Sequence, residues 1–274
     1  MTRKIQVAVL QYCAGPDQAS TLPLVSRLIT EAASNGATFI CLPECANFLA
    51  KDRAALRELA ENENSSESLA CLQELAKTYE IHISAGSLIM RADNDDRQAN
   101  RSYLIGQNGA VLARYNKIHM FDADVGDGKH YRESEHFKPG DSLVHCRTAI
   151  GHIGLSICYD IRFPYLYRQL GQAGAEIITI PAAFTQTTGV AHWHVLQRAR
   201  AIETGSFVLA AAQCGRHADG RQTYGHSLII NPWGEILADA GDKAAGFVQA
   251  ELNLDEVKQA RAALRHLQHQ PDYS

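Results

Sequence analysis

The stretch from Gly151 to Pro164, Gly-His-Ile-Gly-Leu-Ser-Ile-Cys-Tyr-Asp-Ile-Arg-Phe-Pro, constrains the chain most, because its apolar run stops abruptly at Cys158 and gives way to charge and a proline. Ile153, Leu155 and Ile157 alternate as a strand requires, which sets Cys158 at the strand's carboxyl end. Pro164 suits the first turn of a following helix. A strand that hands over to a helix belongs to an α/β layer, and ligands bind at the carboxyl edge of such sheets. Backbone amides of the next turn can favour a thiolate there and then hold an oxyanion. An inert buried cysteine fits the same pattern, since free cysteine is among the most buried residue types.

Two further apolar runs end in the same way. The run over 37–42 leads into Pro43-Glu44, and the run over 110–115 leads into Asn116-Lys117. Taken singly, Glu44 and Lys117 fit solvated strand ends, because Glu and Lys are mostly exposed. Taken with Cys158, they place an acid, an amine and a thiol at three strand ends, and charged groups leave water only when paired. The three therefore point to one mutually supporting set.

The remaining pattern supplies the frame. Strands are expected over 5–10, 81–88, 142–146, 176–181, 207–213, 224–231, 236–238 and 246–251, with helices over 21–34, 165–173, 191–204 and 255–266. A helical region over 52–79 is broken at 62–66. Asn108-Gly109, between runs at 101–107 and 110–115, marks a tight hairpin, and 91–100 reads as a polar turn. Residues 120–139 show no period and are long enough to suspect a functional loop. Strands alternate with helices early and follow one another late, so the sheets are mixed. Two sheets packed together with helices outside is the economical layering. Without repeat, linker or low-complexity tract, 1–274 reads as one domain.

Composition narrows the function. A net charge of −4 with interspersed signs offers no basic face for nucleic acid. No apolar run is long enough for a membrane span, and the N-terminal run is broken by Gln6 and Gln11, unlike a signal peptide. Seven cysteines scattered through apolar segments argue against a disulfide framework and for the reducing cytoplasm. No metal site is expected: Cys41-x-x-x-Cys45 lacks a second pair, His192-x-His194 points its rings apart on a helix, and Asp122, Asp124 and Asp127 lack a calcium-loop pattern.

Leu42-Pro43-Glu44, Arg114-Tyr-Asn-Lys117-Ile-His119 and Cys158-Tyr-Asp-Ile-Arg-Phe-Pro164 resemble the three signature segments of the carbon–nitrogen hydrolase (nitrilase) superfamily, in that family's order. The resemblance implies a four-layer αββα sandwich, a Glu44, Lys117 and Cys158 catalytic triad, and a further family glutamate at Glu133. It carries no cofactor. The Pro181 to Thr185 and Gly189 to Trp193 segments, Gln213 to His217, Tyr224 to Ser227, Asn231 to Gly234 and Pro271 to Tyr273 resemble the Nit subfamily, nearest its deaminated glutathione amidases. The implied reaction is hydrolysis of a terminal carboxamide on a small carboxylate-bearing metabolite, releasing ammonia through a cysteine thioester. Lys117 and the Tyr159 N–H would hold the oxyanion.

Phe184, Thr185 and Trp193 are expected in the pocket wall, with Arg162 and Arg216 as candidates to grip a carboxylate. The small amide is the one expected partner besides further copies of the chain, as a homodimer or larger homo-oligomer. ω-Amidase action on α-ketoglutaramate, nitrile hydrolysis and N-carbamoyl cleavage would use the same triad. A catalytically silent binding protein of the same fold is the non-enzymatic alternative.

Overall fold

The computed structural model describes residues 3–126, 128–242 and 245–269. Asp127 and the segment from Pro271 to Tyr273 lie outside the described residues. No helix is long and apolar enough to cross a membrane among the described residues.

The strand Lys4–Tyr12 shows how the layers arise. Alternate side chains of a strand point to opposite faces, and here both faces are covered. Val7 and Val9 pack with Ile153, Leu155 and Ile177 of a second sheet, whereas Ala8, Leu10 and Tyr12 pack with Val25, Leu28 and Ile29 of the helix Gln18–Ser34. On the far side of the second sheet lie Leu166, Tyr167 and Leu170 from Pro164–Gln172 and Trp193 and Ala201 from Gln186–Thr204. The order of layers is helix, sheet, sheet, helix: a four-layer αββα sandwich.

The first sheet has nine strands among the described residues. Lys4–Tyr12 runs parallel to Phe39–Cys41, which runs parallel to His82–Ser84. Along its other edge it pairs antiparallel with Gly246–Asn253, from Lys4 opposite Asn253 to Gln11 opposite Gly246. Gln98–Ile105 pairs with His82–Ser84, Leu88–Arg91 and Val111–Asn116. In the six-stranded second sheet, Gly151–Leu155, Ile177–Thr179 and Phe207–Ala210 are parallel neighbours. His145–Thr148, Leu228–Ile230 and Ile236–Asp239 add antiparallel flanks. The hairpin at Asn108-Gly109 forms as expected, with the Gly109 N–H donating to Gly106 O at 2.8 Å.

Several local expectations differ from the structure. The run over 81–88 is not one strand but ends at Ser84 and resumes as Leu88–Arg91, because Gly86, at a φ of 64°, breaks the extended backbone between them. The runs over 207–213 and 224–231 are not single strands, because each changes sheets. Phe207–Ala210 and Leu228–Ile230 belong to the second sheet, whereas Ala212–Arg216 and Gln222–Tyr224 belong to the first. Both faces of the first run are buried, so its apolar pattern carries no mark of the crossing. In the second run Gly225 and His226, at φ of 75° and 54°, break the extended backbone. The polar stretch 91–100 contains strand residues at both ends. The stretch 120–139 holds a short hairpin of Asp122–Asp124 with His130–Arg132, followed by a 3-10 turn over Glu133–Glu135.

Candidate active site

Glu44 follows Phe39–Cys41 in a turn whose next residue, Cys45, has a φ of 56°. The turn is pinned from below. Gly86, at a φ of 64°, lies so close that a Cβ there would sit 1.9 Å from Pro43 O. From above, the buried Gln213 donates to Glu44 O at 2.9 Å. Lys117 follows Val111–Asn116, and its N–H donates to Asn100 O at 2.9 Å. Cys158 opens the 3-10 turn Cys158–Arg162 at a φ of 48°, and its N–H is committed to Pro181 O at 2.8 Å. Such a left-handed conformation is unfavourable for a side chain bearing a Cβ. It swings the thiol out of the strand line.

The three side chains meet at the bottom of a cavity of about 290 Å³. Lys117 Nζ donates to Glu44 Oε1 at 2.8 Å and to both Glu133 oxygens at 2.8 Å, so all three of its N–H groups are engaged. Glu44 Oε1 also accepts from Asn100 Nδ2 at 2.9 Å, Oε2 accepts from the Ala183 N–H at 2.9 Å, and the carboxylate hydrogen-bonds the Cys158 thiol. Glu133 is oriented by the Phe121 N–H at 2.6 Å.

Burial alone would raise the Glu44 pKa, but the Lys117 charge and the hydrogen bonds from Lys117, Cys158 and Asn100 outweigh it and hold the carboxyl below its usual range. For Lys117, burial opposes the charge, yet Glu133 and Glu44 prevail and keep the ammonium protonated well above its usual range. The Cys158 pKa is pushed well up, first by burial and then by the Glu44 charge, which Lys117 offsets only in part. The resting thiol is therefore neutral, not the thiolate that a lone lysine neighbour would favour.

Asp160 ties two of these segments together. Its Oδ1 accepts from the His119 N–H at 3.0 Å and lies 2.7 Å from His119 Nδ1. Its Oδ2 accepts from Tyr115 Oη at 2.7 Å and from the Ile157 N–H at 2.8 Å. The fully buried carboxylate thus spans the strand that ends at Lys117 and the turn that carries Cys158. His119 stacks on Phe163 at 3.6 Å between ring centroids, away from a nucleophile's base position.

A carbon–nitrogen hydrolase family model matches residues 6–262. The chain belongs to this family. Its curated relatives include the deaminated glutathione amidase of Synechocystis, 42% identical over 265 residues that cover 96% of each chain. The human deaminated glutathione amidase is 40% identical over 272 residues, 97% of this chain and 82% of the relative. Among solved structures, the C. elegans NitFhit protein superposes with a TM-score of 0.91 at 34% identity, over 98% of this chain and 65% of that one. The chain thus spans about two thirds of NitFhit. Saccharomyces cerevisiae Nit3 superposes with a TM-score of 0.85 at 28% identity, over 96% of this chain and 94% of that one. This carbon–nitrogen hydrolase is accordingly an enzyme that acts on amide C–N bonds.

Phe184, Thr185, Tyr159 and Arg162 line the hydrolase's cavity. Trp193 does not: it is fully buried behind Phe184, with ring centroids 4.9 Å apart, and its Nε1 donates to His226 O at 2.7 Å. An indole set mid-helix on the sheet-facing side belongs to the core. Arg216 is also displaced from the expected place, being exposed and outside the lining, because the strand Ala212–Arg216 turns its last residue outward. Arg53, Arg132 and Arg221 line the cavity instead. Each has an acid: Arg53 pairs with Glu135, Arg132 with Asp124 and Arg221 with Asp219. Arg162 has no carboxylate partner among the described residues; it lies over the Phe184 and Tyr159 rings at 5.4 and 5.8 Å. Sequence reasoning also missed Asn100 and the Ala183 amide. A polar strand residue and a backbone N–H leave no local pattern to find.

Proposed function

We propose that this hydrolase cleaves an amide bond of a small carboxylate-bearing metabolite, deaminated glutathione, through a thioester on Cys158. The observation that carries the mechanism is the Glu44 carboxylate, which hydrogen-bonds the Cys158 thiol and Lys117 together in one buried cluster. The relatives' names and Arg162, which meets the cavity without a carboxylate partner among the described residues, support the substrate class, since a guanidinium matches a carboxylate bidentately.

Glu44 takes the thiol proton as Cys158 Sγ attacks the amide carbonyl, so a carbon–sulfur bond forms and the charge moves to oxygen. The Lys117 ammonium and the Tyr159 N–H hold that oxyanion. Cys158 N–H is already used, and Tyr159 is the next amide in a turn whose first N–H groups have no helical acceptor. Lys117 yields one of its Glu133 bonds to the substrate oxygen. On collapse the carbon–nitrogen bond breaks, and Glu44 returns the proton to the departing nitrogen. Glu44 then takes a proton from water, hydroxide attacks the thioester, and the released sulfur recovers that proton.

Deaminated glutathione corrects one expectation about the product. Both of its amide nitrogens are substituted, so cleavage at the former γ-glutamyl amide releases cysteinylglycine and not ammonia. Ammonia leaves only from a primary amide such as α-ketoglutaramate. The deciding experiment measures cysteinylglycine from the first substrate and ammonia from the second, for wild type and Cys158→Ala. Preference for the first, abolished in the variant, is expected. Preference for the second would make the enzyme an ω-amidase. Retained turnover in Cys158→Ala, or an acyl adduct mapped to Cys45 by mass spectrometry, would refute the nucleophile.

The same reading places the enzyme in a reducing cytoplasm, supported by its free cysteines. It also makes the enzyme a homo-oligomer, supported by exposed Tyr165, Val190 and Val195 on two outer helices.

A further inference from the structure

Away from the cavity, three side chains from distant parts of the chain meet beside the second sheet. His194 stands in the middle of Gln186–Thr204, His226 in the crossover after Gln222–Tyr224, and Asp239 at the end of Ile236–Asp239. His194 Nε2 lies 3.1 Å from Asp239 Oδ2, and His226 Nδ1 lies 3.0 and 3.1 Å from the two Asp239 oxygens. One ligand atom from each residue falls within 4.8 Å of the other two.

We propose that His194, His226 and Asp239 form a binding site for a divalent transition-metal ion of the zinc type. A tetrahedral zinc with bonds of about 2.0–2.1 Å separates its ligand atoms by about 3.3 Å. Both histidine-to-aspartate separations are already near that value. The two imidazole nitrogens lie within 4.8 Å of each other, so ring rotation closes the third edge. Two imidazoles and one carboxylate select zinc, cobalt, nickel or copper over calcium and magnesium, which prefer all-oxygen shells. The fourth position is left to solvent.

The cluster is held from behind. His226 adopts a φ of 54°, a strained conformation for a residue with a Cβ. Its backbone is fixed on both sides: its N–H donates to Gly241 O at 2.8 Å, and its O accepts from the buried Trp193 indole at 2.7 Å. The His226 ring stacks on Tyr224 with 4.5 Å between centroids. The Gly241 N–H donates to Asp239 Oδ1 at 2.7 Å. Ligands oriented by such partners bind metal without paying to reorganise. For neutral imidazoles, coordination moves the proton to the outward nitrogen, Nδ1 of His194 and Nε2 of His226, so no net proton is released.

His192 takes no part, since its Nδ1 faces the Arg162 guanidinium at 3.3 Å. The two-residue spacing of His192 and His194 in sequence is therefore silent about this site, whose other members lie 32 and 45 residues beyond His194. A bound ion would clip the helix Gln186–Thr204 to the sheet edge. That helix begins beside Thr185 and Thr188 of the cavity wall.

The test uses untagged, chelator-treated full-length protein titrated with cobalt(II) and then zinc. Wild type should bind one equivalent with a dissociation constant in the micromolar range or tighter, with visible ligand-field bands and no thiolate-to-metal absorption. Its melting temperature should rise. His194→Ala and Asp239→Asn, both partly exposed, should keep the metal-free melting temperature and lose roughly 10–100-fold or more in affinity. Absence of saturable binding, equal binding in both variants, or a thiolate-to-metal band that places the ion on a cysteine would each overturn the assignment.

Discussion

Asp160→Asn removes charge from a fully buried side chain while keeping its shape, so its effect can be worked from the hydrogen bonds alone. If the amide oxygen takes the Oδ1 position it still accepts from the His119 N–H and Nδ1, but the NH2 then faces the Ile157 N–H across 2.8 Å. Tyr115 Oη can turn to accept; the backbone N–H cannot. In the opposite orientation the NH2 faces the His119 N–H at 3.0 Å, with the same result. Either way one backbone donor loses its acceptor, which costs about 1–3 kcal/mol, and the surviving bonds lose charge assistance worth about 1 kcal/mol each. A total of about 3–5 kcal/mol lowers the melting temperature by roughly 6–15 °C for a chain of this size. Because Asp160 joins the Lys117 strand to the Cys158 turn, turnover should fall with stability, by roughly 100-fold for a displacement of about 1 Å. Differential scanning calorimetry and initial amidase rates on the folded variant read the two effects. A melting temperature within 2 °C of wild type together with turnover within twofold would refute the reasoning.

The pH dependence follows from the shifted groups. With Glu44 ionised below its usual range and the Cys158 thiol and Lys117 protonated above theirs, kcat/KM should stay level between roughly pH 5.5 and 8.5; a limb near pH 6–7 would contradict the assignment. For stability, the depressed Glu44 pKa gives a contribution that is complete above the unfolded value of about 4.3 and is lost as pH falls through the folded one. The raised Lys117 pKa gives a contribution that is complete below about 10.4 and is lost as pH rises through the folded value. Denaturant midpoints measured across pH would show both edges. Gly86→Ala should destabilise by about 2 kcal/mol or more, because the new Cβ meets Pro43 O in a left-handed backbone. It should also impair hydrolysis by shifting Glu44, and an active variant of unchanged melting temperature would show that the turn can yield.

Cys158, Glu44 and Lys117 were legible in the sequence because each interrupts an apolar run at the point where a polar turn residue would normally stand. The layers were legible because strand and helix periods differ, as in the alternation of Val7 and Val9 against Ala8 and Leu10. What escaped detection depends on distance through the chain. Asn100 contacts Glu44 across 56 residues, and Ala183 does so across 139 through a backbone N–H that any residue type would provide. The sheet crossing at Ala211 lies inside an apolar run buried on both faces. Trp193 and Arg216 misled for a related reason: residue type suggests what a side chain can bind, whereas the helix face or strand end decides what it meets.

The charge arithmetic of the site explains more than any one residue does. Two carboxylates, Glu44 and Glu133, share a single ammonium, and the thiol beside them is held protonated first by its burial and then by the Glu44 charge. A permanently ionised thiolate would react with any electrophile that entered. In the proposed mechanism the sulfur becomes nucleophilic only as Glu44 removes its proton, which would tie activation to the attack itself. For the proposed carboxylate-bearing substrate, the two glutamates would repel its carboxylate, while Arg162 on the wall would offer it a guanidinium with no competing acid among the described residues. On the proposed reading, repulsion below and attraction at the side would favour the orientation with the neutral amide turned toward Cys158. In the proposed mechanism, burial and the Glu44 charge keep the nucleophile latent until attack, and Lys117 supplies a positive charge at the place where the oxyanion would form.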